Sequence, residues 1–345
     1  MVFQAAEPFL EHGGNLSQAR RLFPDAPEPF IDLSTGINPY SYPLPPLAPE
    51  LFARLPQPDA LDRLAAVAAA AYGAPSPACI VAAPGTQSLL PLIVKLGRIG
   101  KAAILSPTYA EHARAATLAG HRMIETPALE GLRDADLAII VNPNNPDGLF
   151  FARADLLALA AALDRRGGVL VVDEAFMDVV SSEASLAGDV GRGNIVVLRS
   201  FGKFFGLAGL RLGFAIATPA ITKRLTASLG PWAVSGPALA IGATALSDPA
   251  WIAAMRDRLS AAAQRLDGLL AAAGLQVVGG TALFRLVQSP AAPQLFEQLG
   301  RAGILVRRFA ERADWLRFGL PGGEGEWDRL AQALVAFAPA HRLAR

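Results

Sequence analysis

Short apolar runs rich in β-branched residues recur through the middle of the chain, separated by alanine- and leucine-rich segments of helical length. Such runs are typical of strands that are buried on both faces. Strands that alternate with helices predict a mostly parallel sheet covered by helices on both sides. The predicted strands are segments 78–83, 101–106, 137–142, 168–174, 194–200 and 211–217, and the predicted helices are segments 59–73, 86–97, 110–120 and 154–168.

The pattern changes past residue 250. A long helical segment (249–274) leads into short strand-like runs at 275–280, 282–287 and 303–309, with a further helix at 293–303. These elements predict a smaller α+β domain. The proline-rich stretch 40–50 has the composition of an extended arm. We therefore predict an N-terminal arm over 1–45 that contributes to the small domain and the substrate site, a large α/β domain over 46–248 and a small domain over 249–345.

Composition narrows the functional class. Charged residues are 18% of the chain, against about 25% in typical proteins, which favours a well-filled core and a sizeable subunit interface. A net charge of +1 without a basic run argues against nucleic acid as a partner. The single cysteine, Cys79, excludes an internal disulfide framework and suits the reducing cytoplasm.

Targeting and membrane signals are weak in the sequence. The N-terminal residues contain no basic segment followed by an apolar one, so we predict no secretory signal. Two long, mostly uncharged stretches, 64–94 and 225–247, are interrupted by proline and glycine. A spanning helix needs about 20 continuous apolar residues, so we predict buried elements there, a cytoplasmic protein and no membrane contact.

Lys203 is the residue that raises the question of chemistry. It stands in the run "VLRSFGKFFGLAGLRLG" (197–213), which is otherwise composed of apolar residues, glycines, a serine and two arginines. Burying an ammonium group is costly, whereas a desolvated lysine becomes a nucleophile toward carbonyls. From the residues alone, Lys203 is therefore either a surface residue of a glycine-rich loop or a nucleophile.

Other polar residues also follow predicted strands: the segment 142–148, Asp173, and Ser200 to Lys203. Ligands of open α/β sheets bind beyond the carboxyl ends of the strands. In order, spacing and residue type, "NPNNPDG" (142–148), "DEAF" (173–176) and "SFGKFFGLAGLRLG" (200–213) resemble the fold-type I pyridoxal phosphate enzymes of the aminotransferase superfamily. That resemblance implies a large domain with a mostly parallel seven-stranded sheet, a smaller α+β domain, pyridoxal 5′-phosphate as cofactor and a homodimer.

The resemblance also assigns roles to residues. Lys203 would hold the cofactor aldehyde and later act as acid or base at the substrate Cα. Asp173 would keep the pyridine nitrogen protonated, Asn145 would donate to the ring 3′ oxygen, and Tyr109 would stack on the ring. The cofactor phosphate would be bound by Gly85, Thr86, Gln87, Ser200 and Arg211. The alternative interpretations are a helix cap for Asp173, a core position for Tyr109 and a surface position for Arg211. The order of the motifs along the chain argues against all three. We predict no metal site.

Two arginines near the C-terminus bear on the substrate. Arg317 in "DWLRFGLPG" matches the superfamily arginine that binds the substrate carboxylate, and Arg307 in "GILVRRF" matches a second anion-binding arginine of the branch that acts on phosphorylated substrates. Together they suggest a dianionic small molecule, a phosphorylated amino acid. The adjacent Arg308 is more simply a strand-edge arginine.

The N-terminal segment is more specific. "EHGGNLSQARRLFPDAPEPFIDLSTGINPY" resembles the start of the threonine-phosphate decarboxylases of cobalamin biosynthesis. Paired glycines with free amides, flanked by His12 and Asn15, would form a nest for a substrate phosphate. The substrate residues expected from this resemblance are His12, Gly13, Gly14, Asn15 and Asn38. It implies decarboxylation of L-threonine O-3-phosphate to (R)-1-amino-2-propanol O-2-phosphate.

Two alternatives remain open. The first is an aminotransferase for a phosphorylated substrate such as histidinol phosphate; Phe176 argues against it, because many aminotransferases have a tyrosine there that hydrogen-bonds the ring 3′ oxygen. The second is a non-catalytic ligand domain of a transcription regulator. Retention of Lys203, Asp173 and Arg211 argues against that reading.

Overall fold

The computed structural model describes residues 12–180 and 182–342. The strands in this part of the chain are β1 (Ile31–Leu33), β2 (Ile80–Ala83), β3 (Lys101–Leu105), β4 (Arg122–Thr126), β5 (Leu137–Val141), β6 (Val169–Asp173), β7 (Ile195–Arg199), β8 (Gly213–Ile216), β9 (Gln276–Thr281), β10 (Phe284–Gln288), β11 (Ile304–Arg308) and β12 (Trp315–Gly319). The α-helices are α1 (Leu16–Leu22), α2 (Glu50–Ala53), α3 (Pro58–Tyr72), α4 (Leu90–Ile93), α5 (Glu111–Leu118), α6 (Arg153–Asp164), α7 (Phe201–Phe204), α8 (Pro219–Leu229), α9 (Gly236–Leu246), α10 (Pro249–Ala272), α11 (Ala292–Arg301) and α12 (Glu324–Arg342).

The chain divides into two compact units. Residues 41–254 form one, here called the large unit, and residues up to 40 together with those from 255 onward form the other, the small unit. The division falls within α10. The N-terminal segment and the C-terminal third thus belong to a single unit, although more than two hundred residues separate them in sequence.

The large unit is built on a seven-stranded sheet in the order β2-β8-β7-β6-β5-β3-β4. β8 runs antiparallel to both of its neighbours, and the pairs from β7 through to β4 are parallel. The predicted mostly parallel seven-stranded sheet is therefore confirmed. β5, β6 and β7 are buried along their whole length, because apolar side chains on both faces pack into the surrounding core.

The apolar pattern does not show every element of the large unit. It misses β4, an edge strand of mixed polarity ("RMIET") with no fully buried residue. The single helix predicted over 86–97 is wrong: a 3-10 turn, Thr86–Ser88, is followed by the four-residue α4. Pro91 lies in the first turn of α4, where a backbone N–H has no partner within the helix, so its absence there costs no hydrogen bond.

The small unit holds a five-stranded sheet in the order β1-β11-β12-β10-β9. β1 pairs in parallel with β11, and the other pairs are antiparallel. This agrees with the predicted small α+β domain, although the sequence pattern does not identify β12. β12 is buried throughout, yet it carries Arg317 at its centre, which interrupts the apolar pattern.

No single helix in the described segments is both long enough and apolar enough to cross a bilayer. The helices α9 and α10, which are bent by 79° at their junction, have the length and composition of a membrane span only when the two are counted together.

Candidate active site

The carboxyl ends of β6 and β7 bring an acid and an amine to one edge of the large sheet. Asp173 is the last residue of β6, and Lys203 lies in α7, which begins just after β7 and Ser200. The strands are parallel neighbours, so their ends lie side by side. Asp173 Oδ1 accepts a hydrogen bond from the amide of Ala175 at 3.0 Å, and Lys203 Nζ lies 5.7 Å from the Phe176 ring centroid.

His112 is a site residue that the sequence reasoning missed. Its Nε2 lies 2.8 Å from Asp173 Oδ2, and both side chains are buried. The Tyr109 ring meets the His112 ring edge-on, with centroids 5.8 Å apart. The available signal was the spacing: residues three apart at the start of a helix share a face, so a histidine three positions after Tyr109 was a candidate neighbour. The Ala175 amide and His112 together hold both oxygens of Asp173.

An anion cradle forms where the turn after β2 meets the segment that leads into β8. Gly85 has a φ of +79°, and a Cβ on it would lie 2.6 Å from Arg211 Nη2. A Cβ on Gly213 would lie 2.5 Å from the Thr86 amide nitrogen. Glycine at both positions therefore lets the guanidinium and the amides of the turn crowd together. Backbone N–H groups beside an arginine bind phosphate well.

The segment that carries the amine is packed tightly against the segment that carries this arginine. A Cβ on Gly202 would lie 2.7 Å from the Cα of Ala208, while Arg211 Nη1 donates to the Ala208 carbonyl at 3.1 Å. Since no side chain fits at 202, close packing on Ala208 couples the positions of Lys203 and Arg211.

Gln87 and Tyr109 are linked to each other. The Tyr109 hydroxyl donates to Gln87 Oε1 at 3.1 Å, and Gln87 Nε2 donates to Glu111 Oε2 at 2.9 Å. The side-chain amide of Gln87, one of the predicted cofactor residues, therefore bonds both Tyr109 and Glu111, the first residue of α5.

The loop after β5 is held rigidly by Asn144, the neighbour of Asn145. Asn144 Oδ1 accepts from the Thr108 hydroxyl at 2.6 Å, and its Nδ2 donates to the Pro107 carbonyl at 2.9 Å and to Asp147 Oδ1 at 2.8 Å. Asp147 Oδ1 also accepts from the Leu149 amide at 2.9 Å. The half-buried Asn145 follows this anchored residue directly.

A buried ion network lies beneath the ends of β6 and β7. Arg199 Nη1 donates to Glu174 Oε2 at 2.9 Å, its Nη2 donates to Asp178, and its guanidinium lies 4.5 Å from the Tyr72 ring centroid. Burial raises the pKa of Glu174, and Arg199 opposes that shift. Since Glu174 follows Asp173 and Arg199 precedes Ser200, the network ties together the two segments that carry the acid and the amine.

In the small unit, the two predicted anion-binding arginines stand opposite each other. Arg307 on β11 and Arg317 on β12 are direct cross-strand partners. Arg317 is buried, and its Nη2 donates to the Ser34 carbonyl at 2.8 Å. Burial and the charge of Arg307 lower the pKa of Arg317 to about 9, and Asp32 opposes that shift. The guanidinium of Arg308 lies 4.8 Å from the Phe296 ring centroid instead.

The N-terminal glycine pair packs against the same Ser34. The Gly14 amide donates to Ser34 Oγ at 2.7 Å, so the expectation of two free amides is wrong at Gly14. A side chain on Gly13 would overlap the Ser34 carbonyl. Asn15 is the N-cap of α1, and its Oδ1 accepts from the Gln18 amide at 3.0 Å. The side chain of His12 is exposed.

Asn38 also lies in the small unit and is almost fully buried. Its Oδ1 accepts a hydrogen bond from the amide of Tyr40 at 2.8 Å, which shapes the turn after β1. The predicted substrate residues thus fall in the small unit, and the predicted cofactor residues fall in the large unit.

The large-unit group has a recognisable chemistry. It combines an amine, a carboxylate fixed by a histidine, an aromatic ring and a cradle of amides with a guanidinium. A ligand suited to all four has an aldehyde or other carbonyl, a flat ring with a basic nitrogen, and a phosphate. The close glycine approaches at 85 and 213 leave room for such a phosphate where a Cβ would otherwise crowd the arginine and the amide.

Comparison with known proteins agrees with this chemistry. Residues 47–334 match the family "Aminotransferase class I and II". The chain is 44% identical over 336 residues to a threonine-phosphate decarboxylase from Pseudomonas aeruginosa, covering 96% of this chain and 99% of the relative. It is 30% identical over 333 residues to a histidinol-phosphate aminotransferase from Citrifermentans bemidjiense, covering 90% and 92%.

Solved structures share the fold. A histidinol-phosphate aminotransferase from Sinorhizobium meliloti in complex with pyridoxal-5′-phosphate superposes with a TM-score of 0.81 at 22% identity, over 98% of each chain. The L-threonine-O-3-phosphate decarboxylase from Porphyromonas gingivalis superposes with a TM-score of 0.73 at 22% identity, over 89% of this chain and 99% of its own. By the extent of the family match, this chain is a member of the class I and II aminotransferase family.

Proposed function

We propose that the protein is a pyridoxal 5′-phosphate-dependent decarboxylase that converts L-threonine O-3-phosphate to (R)-1-amino-2-propanol O-2-phosphate. The observation that carries the proposal is the 44% identity, over nearly the whole of both chains, with a curated threonine-phosphate decarboxylase. The pair of facing arginines in the small unit supports it independently, because two adjacent cations suit a substrate with both a carboxylate and a phosphate.

The large unit would hold the cofactor. When bound, pyridoxal phosphate supplies an aldehyde that accepts the substrate amine and a ring that takes up the electrons released at Cα. The buried Asp173, fixed by His112, would keep a proton on the ring nitrogen, and Tyr109 would cover the ring face. Arg211 with the amides of the Gly85–Gln87 turn and the Ser200 hydroxyl would bind the phosphate, and Asn145 would donate to the ring 3′ oxygen.

The small unit would bind the anionic groups of the substrate. Arg317 would hold the carboxylate, and Arg307, with His12 and the Gly13 amide, would hold the phosphate. Asn38 would line the site near the substrate amine. Loss of CO₂ requires the Cα–carboxylate bond to stand perpendicular to the ring, so the positions of the two arginines would decide the reaction.

Lys203 would move protons at Cα. With cofactor and substrate bound, the Lys203 amine would be available for general acid–base chemistry at the substrate Cα. Lys203 would deliver the proton that takes the place of the departing carboxylate at Cα. Its neighbour Phe176 has no hydroxyl to compete for that proton.

The second candidate is transamination of a phosphorylated substrate such as histidinol phosphate. The 30% identity with the histidinol-phosphate aminotransferase of C. bemidjiense favours it. In that case the arginines would align the Cα–H bond rather than the Cα–carboxylate bond. The higher identity with the decarboxylase and the phenylalanine at 176 favour decarboxylation.

The proposal also covers the pathway, the cellular location and the oligomeric state of the enzyme. A phosphorylated aminopropanol suits cobalamin biosynthesis in the cytoplasm, with neither nucleic acid nor a membrane as partner. The large unit leaves several large apolar side chains exposed, which supports a homodimer. One of them lies on α2, a helix that packs so closely on Gly236 that a Cβ there would lie 2.5 Å from the Leu51 carbonyl. These exposed side chains include Leu44, Phe52, Leu55 and Trp232.

The test is product analysis with purified, cofactor-loaded protein and L-threonine O-phosphate in the absence of any keto acid. We expect sustained release of CO₂ and accumulation of the phosphorylated amine, both abolished in Lys203→Ala. Turnover of histidinol phosphate with 2-oxoglutarate, and no CO₂ from L-threonine O-phosphate, would overturn the proposal in favour of the aminotransferase.

A further inference from the structure

Ser34 is the point at which two parts of the predicted substrate site meet. Its hydroxyl accepts from the Gly14 amide at 2.7 Å, and its carbonyl accepts from Arg317 Nη2 at 2.8 Å. The same carbonyl leaves no room for a side chain on Gly13. The glycine pair and Arg317, about three hundred positions apart in sequence, are therefore both positioned by one buried serine.

Asp32 holds that serine in place. Its Oδ1 accepts from the Ser34 amide at 2.9 Å and from the Ser34 hydroxyl at 2.5 Å. The hydroxyl thus donates to Asp32 and accepts from Gly14, so its orientation is set on both sides. Rotation of Ser34 would break both hydrogen bonds at once.

Asp32 is also a negative charge that acts on Arg317. Arg317 faces Arg307 of β11 across the strand pair, and the Phe284 ring of β10 lies 5.1 Å from its guanidinium. Like charges placed directly across two strands repel each other. Asp32 offsets part of this repulsion and leaves the pair with a net positive charge for an incoming anion.

We propose that Asp32 and Ser34 are positioning residues for recognition of the substrate's anionic groups. Ser34 sets the geometry between the glycine pair and Arg317, and Asp32 orients Ser34 through its hydroxyl and its amide. The inference rests on the proposed function, because it takes the anionic ligand to be a phosphorylated amino acid. Neither residue touches the reacting bond, so both act on substrate binding rather than on the chemical step.

The experiment compares Asp32→Asn and Ser34→Ala with Glu297→Gln. The asparagine keeps an oxygen that can accept from Ser34 but removes the charge, whereas the alanine removes the hydroxyl. Glu297 is an exposed carboxylate on α11 that pairs with Arg301, so its variant is the control for loss of a negative charge. Affinity for L-threonine O-phosphate is measured by calorimetry in the cofactor-loaded Lys203→Ala background, where no turnover occurs, and KM and kcat are measured with Lys203 present.

We expect each variant to weaken binding about 10-fold, the equivalent of about 1.4 kcal/mol, and to raise KM with kcat within about threefold of the parent. In Asp32→Asn, the alkaline loss of affinity should begin at lower pH, because the charge that favours the protonated Arg317 is gone. Glu297→Gln should match the parent in all respects. A purely structural role would lower the melting temperature without moving that pH midpoint.

The proposal is overturned if both variants bind L-threonine O-phosphate within twofold of Glu297→Gln and keep the parent's pH midpoint. If Ser34→Ala does not fold, the isosteric Asp32→Asn carries the test alone. A parent protein that binds L-threonine O-phosphate without decarboxylating it would refute the proposed function, and the affinities would still decide the role of Asp32 and Ser34.

Discussion

The large and small units assemble their functional residues in different ways. In the large unit, the acid and the amine stand at the ends of adjacent parallel strands. In the small unit, Arg317 and the glycine pair come from opposite ends of the chain and meet at Ser34. The first arrangement follows from the order of the strands in the sheet, whereas the second depends on one residue, through its hydroxyl and its main-chain carbonyl.

This difference in assembly matches two different roles, the chemical step and the recognition of the substrate. The large unit fixes its groups through backbone packing and a buried ion network, which suits chemistry common to a whole family. The small unit fixes its groups through a few replaceable contacts, which suits the choice of substrate. We therefore expect changes in the large unit to abolish turnover and changes in the small unit to alter which molecule is bound.

The largest expected effect is at the amine. Lys203→Ala should lower turnover of L-threonine O-phosphate by about 10³-fold or more, because the nucleophile and the proton donor are lost together. The matched control is Lys223→Ala, an exposed lysine on α8. Steady-state CO₂ release measures the effect, and near-normal release from Lys203→Ala would refute the role given to the large unit.

The next effect concerns the buried ion network. Arg199→Met leaves Glu174 and Asp178 buried without their shared cation and should lower the free energy of unfolding by about 3 kcal/mol or more. The control Arg301→Met removes one partner of an ion pair that is exposed on both sides, with Glu297, and should cost about 1 kcal/mol or less. Thermal unfolding of both variants measures the difference, and equal losses would mean that the network does not hold the strand ends.

The histidine behind Asp173 should matter less than the amine. His112→Leu is expected to reduce turnover about 10- to 100-fold and to weaken retention of pyridoxal phosphate, since Asp173 loses the partner that orients it. The control is His121→Leu, a buried histidine that contacts the Val94 carbonyl and the Gly100 amide. Cofactor titration followed by absorbance separates the two, and identical titrations would show that burial alone explains His112.

The smallest effect is a pH dependence in the small unit. Because the pKa of Arg317 is lowered to about 9, kcat/KM for an anionic substrate should fall about 10-fold per pH unit above that value. The unfolded chain keeps this proton to a higher pH, so the contribution of Arg317 to stability rises as the pH increases beyond the folded pKa. Profiles for the parent and Arg317→Lys measure it, and an unchanged profile in the lysine variant would assign the fall to another group.

The sequence predicts the central part of the fold for a simple physical reason. β5, β6 and β7 are apolar on both faces, and each is followed by the polar residues of the site. β4 escapes detection because an edge strand need not be apolar, and β12 escapes because Arg317 interrupts its buried run. The strand pairings β1–β11 and β2–β8 join distant segments, which no local pattern can show.

The candidate site divides in the same way. Motif order predicts Lys203, Asp173 and Arg211 as site residues, and those assignments stay predictions. His112 contacts Asp173 across 61 positions, and Ser34 contacts Arg317 across 283 positions, so the sequence shows neither contact. The spacing from Tyr109 marks His112 only as a neighbour of that ring. The hydrogen bond from the Gly14 amide to Ser34 is likewise a tertiary contact, so the sequence alone predicts that this amide is free.

One measurement tests the central claim most directly. L-threonine O-phosphate is incubated with the cofactor-loaded enzyme and 2-oxoglutarate, and the phosphorylated product is identified by ³¹P NMR while CO₂ and glutamate are quantified. The account predicts a phosphorylated amine in equal amount to CO₂, with no glutamate formed. A phosphorylated keto acid in equal amount to glutamate, without CO₂, would contradict it.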